Sequence, residues 1–197
     1  MPEQLSLAGI EGSRARTDGL FFAAIPTPQA AAQIEQRAQD FCRELGLKGR
    51  PLATDHFHIT LYYLGAHAGM PQGVVAKASE TAASIKAAPF EVAFDSAMSF
   101  SDKSGTRPLV LCSSKNLAAL NAFQQTLSMA IRKAGLHRWT QPRFTPHVTL
   151  LYDTRRVPEQ AIEPIRWTVR EFVLVHSLVG RSRHESLARW PLLDRPG

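Results

Sequence analysis

A tetrapeptide of one form occurs twice in this chain. His58-Ile59-Thr60-Leu61 and His147-Val148-Thr149-Leu150 lie 89 residues apart (58 to 147). The same shift brings Leu20-Phe21-Phe22 onto Leu109-Val110-Leu111 and Gly46-Leu47 onto Gly135-Leu136, with no gap across the stretch. A His-x-Thr-Leu string alone recurs by chance. One that carries an apolar run and a Gly-Leu pair at a constant offset reads as a duplicated supersecondary unit. Two copies make a two-lobed domain related by a pseudo-two-fold axis, not a solenoid.

The unit itself can be read. Leu20–Ile25, flanked by Gly19 and Pro26, is a short apolar run and a buried strand. Thr27 is placed to cap a helix whose first residue is Pro28, where the missing N–H costs nothing. Ile34, Ala38, Phe41 and Leu45 recur at helical spacing, and Gly46 stops the helix. Phe57–Leu64 is the next strand, Pro71–Ala87 a second helix and Phe90–Phe100 a further strand. In the second half Pro108–Cys112 is the strand, Asn116 caps a helix running to Ala134, and Pro146–Tyr152 carries the second motif. Thr168–Leu178 and Leu187–Pro191 follow as strands with no helix between them, which predicts antiparallel pairing and an α+β domain. Residues 1–18 show no period and read as a flexible tail. Residues 19–193 form a single domain, and no linker divides them.

Composition narrows the class. Lys and Arg number 23 against 17 Asp and Glu, a net charge of +6, which favours an anionic partner such as nucleic acid or phosphate. The two cysteines, Cys42 and Cys112, form no disulfide framework, which suits a reducing compartment. The apolar run at Leu20–Ile25 is far shorter than the roughly 20 residues a membrane span needs. The start of the chain lacks the apolar core of a signal peptide. A cytoplasmic, non-membrane protein is expected.

The motifs point to acid–base chemistry. In a strand, residues i and i+2 share a face. His58, Thr60 and Tyr62 therefore share one face, and Phe57, Ile59, Leu61 and Tyr63 the other, which is apolar and assigned to the core. His147 and Thr149 share a face likewise, with Val148, Leu150 and Tyr152 assigned to the core. Symmetric packing of the two copies brings both His-Thr pairs to one cleft. One neutral imidazole then takes a proton from an attacking water, and one protonated imidazole gives a proton to the leaving oxygen. The threonine hydroxyls donate to the phosphoryl oxygens that hold charge in the transition state. This scheme needs no metal and no cofactor.

Other residues carry weaker signals. His56-x-His58 on a strand face offers two metal ligands, but no third ligand lies nearby in sequence. His67, His137, His176 and His184 are single histidines, read as surface or structurally satisfied. Arg50, Arg143, Arg155, Arg156, Arg181 and Arg183 are candidates to hold the phosphates of an anionic partner, or else a solvated face. Tyr62, on the motif face, can stack on a base.

These residues also carry a family resemblance. Phe57-His58-Ile59-Thr60-Leu61-Tyr62-Tyr63-Leu64-Gly65 and Arg143-Phe144-Thr145-Pro146-His147-Val148-Thr149-Leu150 resemble the two His-x-Thr segments that name the 2H phosphoesterase superfamily. More closely, the chain is similar to the RNA 2′,3′-cyclic phosphodiesterases, also called 2′-5′ RNA ligase-like proteins. Gly19-Leu20-Phe21-Phe22-Ala23 and Ala188-Arg189-Trp190-Pro191-Leu192 resemble the opening and closing strands of that family, so the likeness runs over residues 19–193. Near the end the family often has an aromatic residue in a Tyr-containing segment, where this chain reads Arg183-His184-Glu185-Ser186.

The resemblance implies a bilobal α+β fold: two lobes of mainly antiparallel sheet with outer helices and the active cleft between them. It implies opening of an RNA 2′,3′-cyclic phosphate end to a 2′-phosphomonoester, with 2′-5′ joining as the reverse activity. By position His58 is the proton donor and His147 the acceptor, with Thr60 and Thr149 beside them. Arg143 is the favoured substrate contact, because the family has a basic residue in its segment; Tyr62, from its place on the motif face, is the second candidate substrate contact or else covers the cleft wall. The partner is RNA or a nucleotide ending in a 2′,3′-cyclic phosphate, and the protein is expected as a monomer. Two alternatives remain within the chemistry: a small nucleotide cyclic phosphate such as an ADP-ribose derivative, or non-catalytic RNA binding that does not depend on the two histidines. A metal hydrolase is a further alternative.

Overall fold

Leu20, Phe22 and Ala24 alternate with Phe21 and Ala23, and this period-two pattern makes the first strand two-faced. The computed structural model describes residues 18–101, 105–115, 117–136, 144–178 and 183–193. β1 (Asp18–Ala24) leads into α1 (Pro28–Leu45), and a 3-10 turn at Thr54–His56 precedes β2 (Ile59–His67). α2 (Gln72–Ala83) and β3 (Phe90–Ser99) follow, then β4 (Arg107–Cys112), α3 (Ala118–Lys133) and β5 (Val148–Asp153). β6 (Gln160–Val169), β7 (Glu171–Leu178) and β8 (Arg183–Pro191) close the chain. The helix cap expected at Asn116, and residues 1–17 of the expected tail, lie outside the described residues; Asp18 itself begins β1 and pairs with His67.

The strands form two four-stranded sheets, β2-β1-β7-β8 and β5-β4-β3-β6, with every pairing antiparallel. The expected α+β architecture with two similar lobes is what the structure has. The lobes do not coincide with the halves of the sequence. β3 joins the second sheet, and the late pair β7–β8 completes the first. The helices bridge the lobes as well: α1 leaves β1 of the first sheet and packs on β5 and β6 of the second, while α3 leaves β4 and packs on both sheets, on β2 of the first and β3 of the second. One continuous apolar core therefore runs through both lobes, from Phe22 and Phe172 to Phe94, Leu111 and Val148.

Local rules place the helices. The Thr27 hydroxyl accepts from the Ala30 N–H, so the first turn of α1 is capped by its side chain. Gly46 has φ 61° and Gly135 φ 74°, a left-handed conformation that favours glycine. After each of them a leucine N–H closes back on the helix, Leu47 to the Cys42 carbonyl and Leu136 to the Ile131 carbonyl, both at 3.1 Å. The repeated Gly-Leu is a repeated helix stop.

Three sequence readings need correction. The constant offset fails at the first strand. Thr60 pairs with Ala23, and Thr149 with Val110, so β1 and β4 correspond at 87 residues (23 to 110). The loop after β4 is longer by the missing two residues, which preserves the alternation and so hides the shift. The strand read as Thr168–Leu178 is the end of β6 and the whole of β7, separated at Arg170. The rest of β6 was hidden by Pro164, which is tolerated because β6 is an edge strand.

The third correction concerns strand faces. In β2 the pairing steps from Ala23–Thr60 to Phe22–Tyr62, leaving Leu61 opposite no residue. In β5 it steps from Val110–Thr149 to Leu109–Leu151, leaving Leu150 out. Each motif strand thus carries a β-bulge just after its His-x-Thr, and the alternation inverts there. Leu61 and Tyr62 both turn into the core, as do Leu150 and Leu151, whereas Tyr63 and Tyr152 emerge, 36% and 51% exposed. The carbonyls of the bulged residues are used elsewhere: Leu61 accepts from the Gln124 side chain of α3 and Leu150 from the Leu52 N–H.

Candidate active site

The sheet faces turned away from the core meet at a cleft. On β1 and β7, Phe21, Ala23, Val173 and Val175 form a small apolar cluster separate from the main core, and Phe21 of that cluster lies against His58. A cavity of about 380 Å³ opens there, and His58, Thr60, His147 and Thr149 all line it. The two His-Thr pairs, far apart in sequence, therefore converge on one site.

Both imidazoles are held the same way. The Nδ1–H of His58 donates to the His56 carbonyl at 2.7 Å, and that of His147 to the Thr145 carbonyl at 2.8 Å. A carbonyl can only accept, so each neutral ring carries its hydrogen on Nδ1 and has a free lone pair on Nε2. Neutral, such a ring takes a proton at Nε2; protonated, it gives one.

Their surroundings differ. Phe21 stacks on His58 with centroids 4.9 Å apart, and His184 meets its edge at 5.2 Å. His147 meets the edge of Phe100 at 5.0 Å. Burial pushes the His58 pKa below the ordinary histidine value. The His56 carbonyl works against that shift, while the nearby His147 and His56 rings add to it. Both rings line the same cavity.

Other side chains expected at the site stand elsewhere. Tyr62 does not reach the cleft: the β2 bulge turns it inward, and it is 2% exposed. Tyr152, which alternation assigned to the core, lines the cavity instead. Arg143, with Arg181 and His137, lies outside the described residues. Arg183 does line the cavity, on β8, with its Nε 3.3 Å from Glu185. Arg155 is occupied structurally, donating to the Leu45 carbonyl.

His56 and His184 were also misread from sequence. His56 is not a strand partner of His58, because it ends the 3-10 turn before β2. Its ring stacks on that of His184, with centroids 4.4 Å apart and planes 9° from parallel. His184 reads as an isolated histidine in sequence but lies inside the cleft. The signal was only its place in the segment that departs from the family pattern. Among the described residues no three His, Cys, Asp or Glu side chains are grouped to hold a metal ion, and no helix is long and apolar enough to cross a membrane.

The second motif strand is anchored by its own end. Asp153, buried at the end of β5, accepts from the Lys48 and Gly49 N–H groups at 2.6 Å and from Arg155 N–H at 2.8 Å. Those bonds hold its carboxyl below the usual range. They draw the segment before the 3-10 turn against Tyr152. A Cβ on Gly49 would lie 2.1 Å from the Tyr152 carbonyl oxygen, so only glycine permits this approach.

Comparison with known proteins agrees with this fold. The RNA 2′,3′-cyclic phosphodiesterase of Escherichia coli (strain K12) is 29% identical over 178 residues, covering 88% of this chain and 96% of that protein. The crystal structure of E. coli LigT in its apo form superposes with a TM-score of 0.70 at 27% identity, covering 91% of this chain and 99% of that one. The same protein complexed with 3′-AMP gives a TM-score of 0.68, also at 27% identity, over 91% and 99% of the two chains. The family model for the 2′-5′ RNA ligase superfamily matches residues 26–181, through both His-x-Thr motifs. The chain belongs to the 2′-5′ RNA ligase superfamily.

Proposed function

We propose that this protein opens RNA 2′,3′-cyclic phosphate ends to 2′-phosphomonoesters by two-histidine acid–base catalysis. The observation that carries the reading is the convergence of His58 and His147 on one cavity, each with Nδ1–H given to a carbonyl two residues back. The named activity of the E. coli relative supports the substrate class.

In the proposed step, water attacks phosphorus in line with the 3′-oxygen. His147 takes the proton of the water at Nε2. The bond from phosphorus to the 3′-oxygen breaks, and His58 gives its Nε2 proton to that oxygen. The product keeps its phosphate on the 2′-oxygen. Thr60 and Thr149, on either side of the cavity, donate to the non-bridging oxygens. With a 5′-hydroxyl of RNA in place of water as the nucleophile, the same pair joins ends through a 2′-5′ linkage: one histidine takes the proton of the 5′-hydroxyl and the other gives one to the departing 3′-oxygen.

His58 serves as the acid although burial favours its neutral form. The negative charge of a bound phosphodiester offsets that, since an opposite charge within a few ångströms favours the imidazolium. Tyr152 takes the stacking role first assigned to Tyr62, and Arg183 holds a flanking phosphate.

A short RNA ending in 2′,3′-cyclic phosphate, incubated in excess EDTA and followed by phosphorus NMR, tests the reading. A 2′-phosphate product is expected. A 3′-phosphate product, or turnover only after metal is restored, overturns it. Turnover of a cyclic mononucleotide but not the oligonucleotide selects the small-nucleotide alternative.

A further inference from the structure

The strand pair β7–β8 brings into the cleft one histidine that the scheme above leaves idle. His184 lies flat over His56 and presents its edge to His58 at 72° between ring planes and to Phe21 at 80°. His58 is thus bounded by Phe21 on its face and by the edge contact with His184. The residue under His184 is the one whose carbonyl accepts the Nδ1–H of His58. The second motif has Thr145 at the position of His56 and no histidine stack there is recorded among the described residues, so this support distinguishes the two halves.

The titratable groups acting on His184 are His58, His56 and Asp55 on the 3-10 turn, while its chain neighbours on β8, Arg183 and Glu185, pair with each other. Burial first, and then the neighbouring His58 and His56 rings, bring its pKa down to about 4. At neutral pH it is a flat, uncharged ring, which suits stacking and does not suit proton exchange.

We propose that His184 is a positioning residue for His58: by pinning His56 it fixes the carbonyl that holds His58 Nδ1–H, and so aims Nε2 at the substrate. This rests on the acid–base role given to His58 above. His184 does not touch the reacting atoms in this account. Its contribution passes through the orientation of another ring, and such orientation governs rate more than affinity.

Two variants, His184→Ala and His184→Phe, test the proposal on the full chain. Each is assayed for kcat and KM with the cyclic-phosphate RNA, and nitrogen-15 NMR reads the tautomer of His58 in the free protein. His184→Ala is expected to lower kcat by about 10- to 100-fold and to change KM by less than about threefold. The His58 ring should lose its single Nδ1–H form. His184→Phe keeps a flat ring and should restore both kcat and tautomer. Unchanged kcat and tautomer in His184→Ala, even with a lowered Tm, would overturn the proposal. So would a phenylalanine variant no better than the alanine one, since that points to a direct role for an imidazole nitrogen. The tautomer readout needs no substrate. If the native protein fails to turn over the RNA, the functional reading falls while the tautomer still decides this one.

Discussion

His58 and His147 stand in one relation to their own chains: each gives its Nδ1 hydrogen to the carbonyl two residues before it, at 2.7 and 2.8 Å. The repeat is therefore a repeat of tautomer as well as of sequence. Replacing either histidine by alanine is expected to cost about 10²- to 10⁴-fold in kcat. The double variant should be hardly worse than the poorer single one, because in the proposed mechanism the two act in one step. Steady-state kinetics of the three variants, beside matched circular dichroism spectra, check this.

The lowered pKa of His58 gives a pH prediction with a definite sign. As the acid it must be protonated, so activity falls as pH rises through its pKa. In the free protein that pKa lies below the ordinary histidine value, and a bound phosphodiester raises it. The alkaline limb of kcat/KM should therefore lie at lower pH than the alkaline limb of kcat. Profiles of both between pH 4 and 9 would reveal it; coincident limbs contradict the assignment of His58 as the acid.

Two tyrosines should separate binding from folding. Tyr152→Ala is expected to raise KM, with a loss of about 1–3 kcal/mol for the stacked base, and to leave the unfolding midpoint nearly unchanged. Tyr62→Ala should do the reverse: the ring is 2% exposed, and deleting a buried aromatic costs about 3–5 kcal/mol. Urea unfolding paired with KM measurements reports both.

Gly49→Ala forces its new methyl onto the Tyr152 carbonyl oxygen, 2.1 Å away before any relaxation. A loss of about 1–3 kcal/mol in urea unfolding is expected. KM should rise as well, since Tyr152 must move. Full stability and unaltered KM would mean that the loop relaxes freely.

His184 should also make stability depend on pH. Its pKa is about 4 in the folded chain against 6.5 for the free side chain, so the unfolded chain binds the extra proton first. Stability then rises with pH across that window and is lost as pH falls through it. His184→Phe should flatten the fall in Tm between pH 6.5 and 4, measured by scanning calorimetry. A fall as steep as that of the native chain would remove His184 as a source.

Much of this was legible in the residues. The repeated His-x-Thr marked the residues that share one cavity, and the repeated Gly-Leu marked two helix stops with the same closing bond. What misled was the assumption that alternation runs unbroken along a strand. One skipped residue in β2 sent Tyr62 inward, and one in β5 sent Tyr152 outward. A bulge leaves no compositional trace in Leu-Tyr-Tyr-Leu or Leu-Leu-Tyr, where either register buries a plausible side chain. β6 was hidden by Pro164, whose tolerance depends on an edge position that only the assembled sheet defines. His184 was hidden because its meaning comes from a neighbour in space, β7, and from rings that lie more than a hundred residues earlier.

The exchange of strands between lobes has a consequence for synthesis on the ribosome. When residue 170 has been made, both His-x-Thr motifs exist, yet β1 still lacks β7 at its side, and the apolar cluster that holds Phe21 lacks Val173 and Val175. The first lobe is finished only by the last strands to emerge. A nascent or truncated chain ending before β7 thus carries every acid–base group of the scheme without the wall that holds one of them in place. Translation itself sets the moment at which the cleft becomes whole.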